Sequence, residues 1–147
     1  MRVFFYYSLS GSGDKIASLL EKHGVETRKV ETVKPFPKSK FMSMMKGGYA
    51  ASVGKKEKLK EYDKSTEGFD EVIIGSPVWN ARISSPVNTV LSDVDLSGKK
   101  VKFVLYSASG EAAKAVERIV REYPEASYVV IKSPKKNEKL EEILSSL

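Results

Sequence analysis

Short apolar runs alternate with stretches of helical spacing along this chain, and no other feature limits its fold as much. The first run, Val3-Phe4-Phe5-Tyr6-Tyr7, is aromatic and β-branched, as expected of a strand buried on both faces. A thinner second strand is predicted over residues 26–30. Val72, Ile73 and Ile74 make a third, between Phe69-Asp70 and Gly75-Ser76-Pro77. Residues 101–106, after the Ser97-Gly98 turn, make a fourth, and residues 128–131 a fifth. Ile16, Leu19 and Leu20 mark the first helix, with Gly24 placed as its left-handed terminator. Val87, Val90 and Leu91 mark a helix starting near Pro86. Ala112, Val116, Ile119, Val120 and Tyr123 share a face of the next, and Leu140, Ile143, Leu144 and Leu147 of the last. The pattern predicts one α/β domain over residues 1–147, a five-stranded parallel sheet between two layers of helices.

Residues 31–69 interrupt the alternation. Pro35 and Pro37 break their start, and Phe41, Met42, Met45 and Tyr49 predict a helix near residues 39–51, with its methionines packed inward. Residues 55–64 read as a charged, exposed connection.

Composition excludes several chemistries. The 147 residues contain no cysteine, hence no disulfide, thiolate metal site or cysteine nucleophile. One histidine, His23, leaves little for a histidine metal site or a Ser-His-Asp triad. It reads as a helix C-terminal residue favoured by the dipole. No apolar run approaches the ~20 residues of a membrane span, and Met1 leads straight into a strand pattern, so a cytoplasmic protein without a membrane role is expected. The net charge of +6 favours acidic partners. A nucleic-acid surface is not expected, because the basic tracts at 55–64 and 132–139 lack interleaved aromatics.

The strongest chemical signal is Ser8-Leu9-Ser10-Gly11-Ser12-Gly13, between the first strand and the first helix. Backbone N–H groups in a tight Ser/Gly turn, serine hydroxyls and a helix N-terminus are what a phosphate dianion needs. Without a following Gly-Lys-Ser/Thr, this is no nucleoside-triphosphate loop. Gly11-x-Gly13 with Glu31 further on imitates a dinucleotide fingerprint, but Ile16 stands at the third glycine. The same letters could also cap a helix with no ligand. Ser8, Ser10 and Gly11 resemble the phosphate loop of the flavodoxin family, Ser/Thr-x-Thr/Ser-Gly-x-Thr. Gly13 replaces its final threonine, and Asp14 places a carboxylate in the first helical turn.

The resemblance implies a doubly wound sheet of order 2-1-3-4-5, in which the first and third strands adjoin at the switch point. The third strand ends in Gly75-Ser76-Pro77-Val78-Trp79, similar to the hydrophobic-Gly-Ser/Thr-Pro-Val-Tyr/Trp ending of flavodoxins and related FMN oxidoreductases. It implies FMN as cofactor, with Pro77, Val78, Trp79, Asn80 and Ala81 beside the flavin ring and the indole shielding it. Ser107, Ser109 and Gly110, after the fourth strand, would complete the crevice, Ser109 also serving as a helix cap. Arg82 reads equally well as a solvated residue.

The function implied is electron transfer to a redox partner protein with an acidic docking surface, by a monomer or homodimer. The alternatives are an FMN-dependent NAD(P)H or quinone oxidoreductase, and a flavodoxin-fold binding module that has lost its flavin.

Overall fold

A computed structural model describes residues 1–36, 49 and 54–147 of the chain. Its strands are β1 (Arg2–Tyr6), β2 (Glu26–Lys29), β3 (Glu71–Trp79), β4 (Arg82–Ile83), β5 (Lys100–Ser107) and β6 (Ser127–Lys132). Its α-helices include α1 (Ser12–Lys22), α2 (Ser85–Asp93), α3 (Ala113–Glu122) and α4 (Leu140–Ser145). The main strands pair in parallel in the order β2-β1-β3-β5-β6, with β4 folded back antiparallel on the end of β3. Leaving out that two-residue return, the order is the 2-1-3-4-5 implied by the resemblance to the flavodoxin family.

Alternate side chains leave a strand on opposite faces, and the first strand shows why the sheet is covered twice. Phe4 and Tyr6 pack with Ile73, Val104 and Ile131 under Ile16 and Leu20 of α1 and Leu140 and Leu144 of α4. Phe5 goes the other way, with Val72, Ile74, Phe103 and Leu105, under Val87 and Val90 of α2 and Ala115 and Ile119 of α3. Phe4, Phe5 and Phe103 are fully buried, each burial stabilising the fold by about 1.5–3 kcal/mol. Gly24 terminates α1 in the left-handed region (φ 77°), and Pro86 occupies the first turn of α2.

One expectation changes. Val120 is 59% exposed, because α3 is centred on Ala115 and Ile119, and one further residue turns about 100° away from the sheet. The charged tract at 55–64 is the exposed connection expected, and it is also docked. The carbonyls of Lys55 and Glu57 accept hydrogen bonds from Asn88 (3.0 Å) and Thr89 (2.6 Å) of α2, and Leu59 bridges to Thr32. Its lysines still point to solvent. Asp70, in the bend before β3, pairs with the Met1 amino group at 2.8 Å. The helix expected over 39–51 lies outside the described residues except for Tyr49, which is exposed. No described helix is long and apolar enough to cross a membrane.

Candidate functional site

Parallel pairing puts the carboxyl ends of β1, β3 and β5 on one edge, with Tyr6 opposite Gly75 and Pro77 opposite Tyr106. Those strand ends and the connections leaving them carry residues 8–13, Pro77, Val78, Trp79, Asn80, Ala81, Ser107, Ser109 and Gly110. They meet at the same edge.

The β1–α1 connection turns at Gly11 (φ 93°), a conformation that costs a residue with a Cβ about 1–2 kcal/mol. The Ser8 hydroxyl oxygen accepts from the N–H groups of Gly13 (3.1 Å) and Asp14 (3.3 Å), bracing the start of α1. Within the described residues no hydrogen bond takes up the N–H groups of Ser10, Gly11 and Ser12. Three unengaged amides at the positive end of an 11-residue helix fit an anion. Leu9 and Ser10 are exposed, Gly11 and Ser12 half-buried, so the anion would enter from solvent.

The carboxylate of Asp14 does not stand alone. Its Oδ1 meets the Lys29 ammonium at 2.9 Å and accepts from the Tyr6 hydroxyl at 3.2 Å. Burial, and then the Asp14 charge, push the Tyr6 phenol up to about 12, so it remains a donor.

Gly13, which departs from the family pattern, has a steric cause. A Cβ there would lie 2.7 Å from the Tyr106 hydroxyl and 3.0 Å from Ser8 Cβ and Tyr6 Cδ2. The Tyr106 phenol donates to the Tyr7 carbonyl, and burial raises its pKa well above the ordinary value. Tyr106 thus fills the space that a side chain at position 13 would need.

The second connection is a hairpin. β3 continues through Pro77 and Val78 to Trp79 and returns as β4, with Asn80 (φ 50°) and Ala81 (φ 62°) at the tip. Buried Ser76 holds the return: its Oγ accepts from Ser84 N–H at 3.0 Å and lies 2.9 Å from Ser84 Oγ. Ala115 N–H of α3 donates to the Ala81 carbonyl at 2.8 Å, and Arg82 to the Asn80 carbonyl at 3.1 Å. Trp79 meets Tyr7 (5.8 Å, 89°) and Phe36 (4.9 Å, 72°) edge-on and stays partly exposed. Phe36 was not foreseen as a neighbour of this site, since nothing in its local sequence points toward β3.

In the third connection Ser107 Oγ accepts from Gly110 N–H at 2.9 Å, with Gly110 at φ 76°. Ser109 Oγ accepts from Glu111 N–H at 3.2 Å, and the cap of α3 is Ala112. Ser109 therefore closes a turn ahead of the helix instead of capping it.

The turn after β6, within the basic tract at 132–139, also reaches this edge. Ser133 binds the Ser107 carbonyl through its N–H (2.8 Å) and the Ala108 carbonyl through its hydroxyl (3.0 Å). Lys135 donates to the Ser10 carbonyl at 2.6 Å, and Lys15 to the Lys135 carbonyl at 3.1 Å. The available signal was position: a lysine just past a parallel strand stands at the carboxyl edge.

The flavodoxin family model matches residues 2–143. Among solved structures, the chain resembles a flavoprotein from Lactobacillus acidophilus in complex with FMN. The two share 20% identity over 87% of this chain and 89% of that one, with a TM-score of 0.70. A Bacteroides eggerthii protein assigned as a flavoprotein is 15% identical over 99% and 93%, with a TM-score of 0.74. The rubredoxin:oxygen oxidoreductase of Desulfovibrio gigas is 20% identical over 99% of this chain and 33% of that one, with a TM-score of 0.56. These likenesses establish the fold. No curated protein matches the chain by sequence.

Proposed function

Because the chain belongs to the flavodoxin family, we propose that it binds FMN and carries electrons for a partner protein in the cytoplasm. The support comes chiefly from three Ser/Gly-bearing connections meeting at one edge, with amides unengaged at a helix N-terminus and Trp79 one strand away. In this reading Ser8, Leu9, Ser10, Gly11, Ser12 and Gly13 hold the phosphate. Pro77, Val78, Trp79, Asn80 and Ala81 flank the ring and exclude water, and Ser107, Ser109 and Gly110 meet its polar edge. When bound, FMN supplies one- and two-electron transfer, and the protein's part is to bind, orient and shield it. Pairing of Asp14 with Lys29 removes the main electrostatic objection to an anion at this loop.

Charge supports an acidic partner. A cleft of about 360 Å³ beside the hairpin is lined by Lys56, Arg82, Lys114, Arg118 and Arg121, against only Glu117 and Glu122. Attraction across such a surface is screened by salt, so transfer to an acidic acceptor should slow as salt rises.

Titrating the flavin-free protein with FMN, followed by flavin fluorescence and visible absorption, tests the cofactor assignment. Retention of FMN through dialysis is expected, and failure to retain it overturns the reading. Reduction only through a protein partner is expected of a carrier; steady NAD(P)H oxidation by the loaded protein would replace the carrier with a reductase.

A further inference from the structure

Lys135 reaches the phosphate loop from a turn 125 residues away in sequence, and its ammonium lies 2.6 Å from the Ser10 carbonyl oxygen. That carbonyl belongs to the same trans peptide as the Gly11 N–H, and the two groups of a trans peptide point in opposite directions. A cation on the oxygen polarises the peptide and makes its N–H a stronger donor on the far side. This amide is one of the three that the described residues leave unengaged.

The lysine is held where it can act. Its backbone carbonyl accepts from Lys15, and Ser133, two residues before it, is tied to the β5 connection through the carbonyls of Ser107 and Ala108. Its stem passes over the turn, with Cδ 3.9 Å from where a Cβ on Gly11 would stand. Among the described residues no carboxylate pairs with it, so its charge is not cancelled.

We propose that Lys135 is a positioning residue that braces the Ser10–Gly11 peptide from behind and makes the site select a phosphorylated flavin over its unphosphorylated form. The inference rests on the FMN reading above. It adds a cation from the turn after β6, acting through the backbone, to a loop otherwise made of amides and hydroxyls.

Affinities for FMN and for riboflavin, measured by flavin fluorescence at low and high salt, test it with flavin-free wild type, Lys135→Met, Lys135→Arg and Lys100→Met. Lys100 stands at the start of β5, at the opposite end of the sheet, and controls for net charge. Lys135→Met is expected to weaken FMN binding about tenfold, to leave riboflavin binding unchanged and to flatten the salt dependence. Lys135→Arg should restore most of the FMN affinity, and Lys100→Met should leave it unaltered. Equal losses for both flavins, or no loss for FMN, overturn the positioning role while the FMN reading stands. A wild-type protein that binds neither flavin overturns both.

Discussion

The β1–α1 turn and the β3–β4 hairpin are neighbours on one sheet edge, yet different forces hold them. The turn rests on local backbone needs: Gly11 in the left-handed region, the Ser8 hydroxyl on two amides, and Gly13 pressed against Tyr106. In the hairpin, two residues that carry a Cβ occupy that region, held by Ala115 of α3, by buried Ser76 and by the packing of Trp79 on Phe36. A shape set by backbone needs shows in the letters at the site itself. A shape set by distant contacts does not.

The sharpest way to break the comparison is to crowd the turn. Gly13→Ala puts a Cβ 2.7 Å from the Tyr106 hydroxyl and should destabilise the fold by about 2–3 kcal/mol in urea unfolding. Tyr106→Phe costs about 1–3 kcal/mol by itself, since it strips the Tyr7 carbonyl of a buried donor. In that background, however, Gly13→Ala should cost about 1 kcal/mol less. An equal penalty in both backgrounds would show that the Tyr106 hydroxyl is not what excludes a side chain there.

Trp79→Ala makes the opposite attack, on the hairpin. The indole is partly exposed and meets Tyr7 and Phe36 edge-on, so its loss should cost about 1–2 kcal/mol. If the ring lies beside the hairpin, FMN and riboflavin affinities should fall together. That is the reverse of the pattern expected at Lys135, where only the phosphorylated flavin is affected. Loss of FMN affinity with riboflavin binding untouched would mean that the hairpin does not serve the ring.

The same contrast explains how much could be read in advance. The alternation of strands with helices on both faces and the tight turn carrying Ser8, Ser10 and Gly11 were legible because each is a local consequence of residue type, whereas the sheet order came from the resemblance to the flavodoxin family. Gly13 was visible only as a departure; its reason is Tyr106, which sequence does not bring beside it. The length of β3 was missed because Gly75-Ser76-Pro77 reads as a strand ending, whereas pairing with β5 and the Ser76–Ser84 contact carry the strand onward. Lys135 was hidden among lysines of similar appearance. What separates it is the carbonyl within its reach.

Alkaline titration separates the two regions by a smaller effect. Tyr6, beneath the turn, and Tyr7, beside Trp79, are each pushed up to about 12, burial being the larger cause in both. An unfolded tyrosine ionises near 10. Between about pH 10 and 12 the unfolded chain therefore releases protons that the folded chain keeps, so this stabilisation is complete below pH 10 and lost as pH rises toward 12. Asp14→Asn removes the second cause at Tyr6 and none at Tyr7, so phenolate absorbance should show Tyr6 ionising earlier and Tyr7 unchanged. Identical shifts at both would mean that the carboxylate does not act locally.

The smallest effect bears directly on strain. Ala81 holds φ 62° and Gly11 φ 93°, and a Cβ in this region costs about 1–2 kcal/mol. Gly11→Ala should therefore destabilise by about 1 kcal/mol without a clash, the nearest atom to its Cβ being Lys135 Cδ at 3.9 Å. Ala81→Gly relieves the same strain but gives the unfolded chain more freedom, so the gain should be about 0.5 kcal/mol. Opposite signs in paired urea unfolding would establish that the hairpin tip is held against its backbone preference by Ala115 and the neighbouring packing. A loss at both positions would mean that the tip is relaxed, and that its two connections to the sheet edge are built alike.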